Sequence, residues 1–154
     1  MRMLSILLLF AAVLFAACES KKAATETSEP EVQEVTEAVE EPAEEPSVFF
    51  KHPAEGATVP SPVFIEMGVK GMQIEPAGEV KEGFGHHHIL INQTSWPKGE
   101  IIPMSDSTIH FGKGQTDASL ELAAGEYTIS LQFADGVHAS YGEGMAASIS
   151  ITVE

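Results

Sequence analysis

The chain has 154 residues, with 23 acidic and 8 basic side chains and a net charge of −15. This length allows one domain with tails. No segment carries a basic stripe, which excludes nucleic-acid binding driven by phosphate neutralisation. A single cysteine excludes a disulfide framework and a thiolate metal cage.

The first 17 residues have the pattern of an export signal. A short positively charged start precedes an apolar run of 14 residues, from Leu4 to Ala17. A membrane-spanning helix needs about 20 residues, so this length favours a secretory signal peptide over residues 1–17. The small residues just before Cys18 resemble the lipobox of bacterial lipoproteins. The alternative is an ordinary signal in which Cys18 is incidental.

The lipobox resemblance implies a location. Cys18 would receive acyl chains and anchor the protein to a membrane, and two or more chains hold a protein there stably. We therefore expect a lipoprotein of the bacterial cell envelope that faces the periplasm or the outside. Its partner would be the membrane itself, and the sequence predicts no particular protein partner.

Residues 18–47 predict a disordered linker that follows the anchor. Ten glutamates lie between positions 19 and 47, and this stretch contains no Phe, Tyr, Trp, Leu or Ile. Such a segment buries too little apolar surface to offset the entropy lost on ordering. We expect it to hold a folded domain, residues 48–154, away from the membrane.

Residues 48–154 alternate between apolar and polar side chains with a period of two. The alternating stretches are Val63–Val69, His87–Ile91, Ala118–Leu122, Tyr127–Phe133 and Met145–Val153. Short strands separated by Gly and Pro predict an all-β, immunoglobulin-like antiparallel β-sandwich of about seven strands. In its strand F, Tyr127 is expected to be largely buried, with its hydroxyl bonded to nearby backbone.

Several stretches of the folded part also resemble a known bacterial family. They are Phe49-Phe50, Gly71-Met72, Gly85-His86-His87-His88, Ile109-His110-Phe111-Gly112 and Phe133-Ala134-Asp135 with the nearby His138. On these residues the region 49–154 resembles the domain-of-unknown-function family 4399, which occurs in secreted and lipid-anchored proteins. The resemblance implies no settled activity.

The histidines point to a metal site. In an immunoglobulin-like topology His86–His88 begin strand C, His110 ends strand D and His138 lies in the F–G loop, which places all of them at one pole. By strand alternation His86 and His88 share a face, while His87 turns to the apolar side. Imidazole is a common ligand of Cu and Zn. The predicted ligands are His86, His88, His110 and His138, with Asp135 orienting one imidazole.

Two alternatives to this metal site remain open. The four histidines would instead tie loops together through hydrogen bonds to carbonyls and Asp135, or would line a pocket for a small ligand or glycan. The metal-site prediction depends most on His110. In an immunoglobulin-like topology strand D belongs to the sheet opposite strand C, which would keep His110 away from His88. Side-chain nitrogens more than about 8 Å apart would exclude a shared mononuclear site.

Four further side chains receive predictions. His87 is expected to be a hydrogen-bonded residue at the edge of the core, and His52 to be structural or exposed. Met72 and Met104 are expected to pack in loops, with soft ligation of copper as the alternative.

No motif of a known catalytic apparatus is evident. A phosphate-binding loop, a nucleophile elbow and paired carboxylates are all missing from the sequence, so we predict that the protein is not an enzyme. We predict a membrane-anchored extracytoplasmic binding protein that holds Cu or Zn and loses it near pH 6.5, where imidazole protonates. The alternatives are a non-catalytic envelope or cell-surface interaction module with structural histidines, and a metal-assisted hydrolase or oxidase.

Overall fold

The computed structural model describes residues 45–154, so the signal peptide over 1–17, Cys18 and most of the linker over 18–47 lie outside the described residues. The described part of the chain is all-β, as predicted. It contains nine strands and one short 3-10 helix (Glu143–Met145): β1 (Ser47–His52), β2 (Thr58–Val59), β3 (Val63–Lys70), β4 (Gln73–Ile74), β5 (Phe84–Ile91), β6 (Thr108–His110), β7 (Asp117–Leu120), β8 (Gly125–Ala134) and β9 (Ala146–Val153). Two of these strands have only two residues, which leaves the seven longer strands that the sequence predicts.

The strands form two sheets of unequal size. The small sheet has the order β1-β3-β7, and the large sheet has the order β2-β9-β8-β5-β4, with β6 also paired to β5. In chain order, β1, β3 and β7 correspond to strands A, B and E of an immunoglobulin-like sandwich. Strands β6, β5, β8 and β9 then correspond to C′, C, F and G.

A shared apolar core fixes which way each strand faces. Val63, Ile65 and Met67 of the small sheet belong to the same buried cluster as Ile89 and Leu131 of the large sheet. Fully burying an aliphatic side chain of this size is worth about 1.5–3 kcal/mol. A shift of β5 by one residue would turn Ile89 outward, so the core holds the register of β5.

The outer face of the large sheet is also covered. Leu90 and Ala134 on this face form a second apolar cluster with Ile102 and the partly buried Trp96, which belong to the connection between β5 and β6. The buried side chain of Gln132 accepts a hydrogen bond from the Trp96 backbone N–H at 2.8 Å. Residues 92–107 therefore bury side chains that β5 directs away from the sandwich core.

The predicted hydrogen bond of the Tyr127 hydroxyl to nearby backbone is confirmed. The Tyr127 hydroxyl donates to the carbonyl oxygen of Ala123 at 3.1 Å. The ring is half-buried rather than largely buried, because Tyr127 lies near the first residue of β8, at the end of the sheet.

Within residues 45–154, no helix has the length and apolar character needed to cross a membrane.

Candidate metal centre

Strand β5 places two histidines together on its outer face. His86 and His88 have exposed fractions of 0% and 1%. They are two residues apart in one strand, so their side chains leave the sheet on the same side, as predicted. Ile89 of the same strand is buried in the core. Because side chains alternate along a strand, His86 and His88 must then face away from the core.

Strand β6 brings His110 directly beside His88. The register of the antiparallel pair β5–β6 joins His88 to His110. The prediction that the strand of His110 lies in the opposite sheet is therefore wrong. Two backbone hydrogen bonds extend the pairing at its ends, from the N–H of Ile91 to Ser107 at 2.8 Å and from the N–H of Phe111 to His87 at 3.1 Å.

A glycine makes room for the His110 ring. A Cβ atom added at Gly112 would lie 2.1 Å from Cε1 and 2.2 Å from Nε2 of His110. Both distances are far shorter than a van der Waals contact. The imidazole therefore occupies the space that any side chain at position 112 would need.

The loop between β8 and β9 supplies His138. His138 has a φ of 70°, in the left-handed region that non-glycine residues rarely adopt. The Asp135 carboxylate holds this turn by accepting hydrogen bonds from the N–H groups of Val137 and Ala139, both at 2.9 Å. In residues 45–154 this carboxylate has no hydrogen bond to an imidazole, so Asp135 positions His138 through the backbone.

The four predicted ligands converge. Nε2 of His86 lies 3.1 Å from Nδ1 of His138 and 3.2 Å from Nε2 of His88. One nitrogen from each of His86, His88, His110 and His138 lies within 4.8 Å of the other three. These separations are well below about 8 Å, at which a shared mononuclear site would be excluded.

Burial keeps the inner imidazoles neutral. It lowers the pKa of His86 to about 4 and that of His88 to about 3, with nearby imidazoles as the second cause. Burial and then the neighbouring His138 also lower the pKa of His110. A neutral imidazole is the form that binds a metal ion, so His86 and His88 are ready ligands at neutral pH.

The hydrogen bonding differs from that of histidines that tie loops together. Within residues 45–154, none of the four imidazoles donates to a backbone carbonyl or a carboxylate. Their short contacts are with one another, and Nε2 of His110 is buried with no hydrogen-bond partner among the described residues. This arrangement favours four imidazoles that share one bound species over four imidazoles that join loops by hydrogen bonds.

His87 and His52 lie apart from the cluster. His87 is fully buried, its ring centroid lies 5.0 Å from that of Phe133, and neither ring nitrogen has a hydrogen-bond partner in the described structure. The prediction of a hydrogen-bonded residue at the core edge is therefore wrong, because β8 places Phe133 opposite His87. His52 is exposed, as expected, with its ring 5.8 Å from that of Phe64.

Sequence reasoning missed Ile101, Ile102 and Pro103, which cover the cluster, and named Met104 only as a loop residue or a soft copper ligand. A cavity of about 260 Å³ adjoins it and is lined by His88, His110 and His138 together with Ile101, Ile102, Pro103 and Met104. The signal that would have pointed to this cover is the pair Ile101-Ile102, since two adjacent β-branched apolar residues are unusual in a connection rich in polar residues.

The fold and the site define an immunoglobulin-like sandwich domain with a four-histidine cluster on the outer face of its larger sheet. A family described as a domain of unknown function (DUF4399) matches residues 65–154, and the chain belongs to this family. The resemblance found in the sequence is thus confirmed. Neither the curated proteins nor the solved structures include a significant match to the chain.

Proposed function

We propose that this protein is a membrane-anchored extracytoplasmic binding protein that holds one Cu or Zn ion through His86, His88, His110 and His138. The observation that carries the proposal is the convergence of four imidazoles, with one nitrogen of each within 4.8 Å of the others. Imidazole suits both metals, and the geometry of the bound ion depends on how the four rings settle around it.

The nitrogen separations support a single ion. Zinc binds histidine nitrogen at about 2.0–2.1 Å, so the ligands of a tetrahedral site lie about 3.3 Å from one another. The two shortest contacts, His86 to His138 and His86 to His88, measure 3.1 and 3.2 Å. The other nitrogen pairs lie within 4.8 Å, so the rings would have to move inward by up to about 1.5 Å to surround one ion.

The ligand count supports binding rather than catalysis. Catalytic zinc sites keep a position open for water or substrate and use three protein ligands, whereas four protein ligands close a tetrahedral site. This chain offers four imidazoles. We therefore infer a protein that carries or senses the metal and does not perform hydrolysis with it.

The proposed location rests on the sequence around Cys18. Cys18→Ser should release the protein from the membrane fraction or leave its signal peptide attached, because the acylated residue is lost. Fractionation of cells and mass spectrometry of the mature N-terminus measure this. A variant that matures normally and stays on the membrane would contradict lipid anchoring.

Metal binding is tested on the full chain, purified in detergent without a histidine tag. Isothermal titration with Zn(II) and Cu(II) should give one ion per chain. His138→Ala and His110→Ala should each weaken binding at least about 100-fold, since each removes a direct ligand. His52→Ala is the matched control, because His52 is an exposed histidine outside the cluster, and it should bind as the parent does.

The opposite result has a clear meaning. If the folded parent binds neither metal, or if His52→Ala loses as much affinity as His138→Ala, the four-histidine site is wrong. The interaction module with structural histidines would then be the better interpretation.

A further inference from the structure

An exposed methionine lines the cavity beside the histidine cluster. Met104 has an exposed fraction of 77%, the highest among the exposed large apolar side chains of residues 45–154. It lines the cavity of about 260 Å³ that also reaches His88, His110 and His138. Single exposed apolar side chains are common on protein surfaces. Met104 differs from most of them because it lines a cavity with three imidazoles.

The backbone on one side of Met104 is tied to a ligand of the proposed site. The N–H of Ile102 donates to the carbonyl oxygen of His138 at 3.0 Å. The neighbouring Ile101 forms an isolated bridge with Ala139. The segment that precedes Met104 is thereby fixed against the loop that carries His138.

The backbone on the other side is tied to the strand of His110. The Ser105 hydroxyl lies 2.8 Å from the hydroxyl of Thr108, which also donates to the carbonyl oxygen of Pro103. Thr108 begins β6, the strand that ends at His110. Met104 is therefore an exposed side chain on a backbone held at both ends by elements that present ligands.

A thioether ligand binds Cu(I) in preference to Zn(II). Soft thioether ligands select Cu(I), while imidazole suits both zinc and copper. Met104 is the residue with a soft donor in the apolar stretch from Ile101 to Met104 that lines the cavity. A site made of imidazoles alone lacks a soft donor that favours Cu(I) over a divalent ion.

We propose that Met104 is a copper-selecting ligand of this site: when the ion is Cu(I), its thioether replaces one of the four imidazoles and binds the ion together with His110 and His138, which line the same cavity. This inference rests on the proposed function and adds the identity of the metal. The ion enters and stays as Cu(I), so no electron transfer is involved. Met104 makes the site prefer Cu(I) over Zn(II).

The test compares two methionine variants in a Cys18→Ser background, because a free thiol also binds Cu(I). Met104→Leu keeps the size of the side chain and removes the sulfur. Met72→Leu is the matched control, since Met72 packs against the main core and does not line the cavity. Cu(I) affinity is measured without oxygen by competition with a chromophoric Cu(I) chelator, and Zn(II) affinity by competition with a zinc indicator.

Met104→Leu should lower the ratio of Cu(I) to Zn(II) affinity by about tenfold or more, while Met72→Leu leaves the ratio unchanged. X-ray absorption of the Cu(I)-loaded parent should show a sulfur neighbour that Met104→Leu lacks. If Met104→Leu keeps the parent ratio and the parent shows nitrogen neighbours only, Met104 is not a ligand and zinc or copper binding by the histidines still stands. If the parent binds neither metal, the proposed function fails together with this inference.

Discussion

Three consecutive histidines in β5 have the same burial and opposite surroundings. His86, His87 and His88 are each exposed by 1% or less. His87 faces the sandwich core and packs edge-on against Phe133, with no hydrogen bond to either nitrogen in the described residues. His86 and His88 face the other way, and each lies within 5.8 Å, ring centroid to ring centroid, of His138.

The difference shows that burial alone does not define a site. All three imidazoles lose hydration on folding, which lowers the pKa of each. On the inner face no neighbouring group offsets this cost. On the outer face the proposed ion would offset it, because a ligand that binds only the folded state stabilises that state by about 2.7 kcal/mol at 100 times its Kd.

The largest expected effect is acid destabilisation of the metal-free chain. The pKa of His86 and of His87 is about 4 and that of His88 about 3, against 6.5 for an unburied histidine. Between about pH 6.5 and 4 the unfolded chain binds protons that the folded chain does not, so the free energy of unfolding falls as pH falls. Between its folded and unfolded pKa values, each histidine lowers the free energy of unfolding by about 1.4 kcal/mol for each pH unit of acidification.

Urea unfolding with a chelator present, at about pH 7 and about pH 5, measures this acid effect. His87→Leu should reduce the pH dependence, because it removes one of the histidines whose pKa burial lowers. An equal urea midpoint at both pH values would show that the three imidazoles are not buried as described.

The second prediction separates the two faces of β5 by metal binding. His88→Leu should weaken Zn(II) or Cu(II) binding at least about 100-fold, since it removes a ligand. His87→Leu should leave the affinity within about threefold and should not lower stability at neutral pH, because it replaces an unpaired buried polar group with an apolar one. Calorimetric titration and thermal unfolding of both variants give the answer. Equal loss of metal affinity in the two would contradict the assignment of faces.

The smallest expected effect tests whether the His110 ring needs the space that Gly112 leaves open. Gly112→Ala should displace this ring, since the added Cβ overlaps Cε1 and Nε2, and should weaken metal binding by about tenfold. Gly144→Ala is the matched control, because its Cβ would meet nothing within 4 Å. Titration of the two variants with Zn(II) measures the difference. Unchanged affinity in Gly112→Ala would mean that His110 is not a ligand.

The sequence predicted the class of the fold because strand alternation is a local property. The apolar residues Val63, Ile65 and Met67, and likewise Ile129, Leu131 and Phe133, are buried in the core as their period of two indicates. The same alternation predicted that His86 and His88 would share a face, with His87 on the other. The family resemblance, confirmed over residues 65–154, needed only short contiguous motifs.

Tertiary structure alone decided the neighbours of those side chains. The sequence did not indicate that β6 pairs with β5, since a three-residue strand carries no local signal of its partner, yet this pairing sets His110 beside His88. Nor did it indicate that Phe133 would leave His87 without a hydrogen bond, or that residues 92–107 would place Met104 at the cluster. Side-chain direction follows from adjacent residues along one strand, whereas pairing and cover depend on which distant segments together bury the most apolar surface.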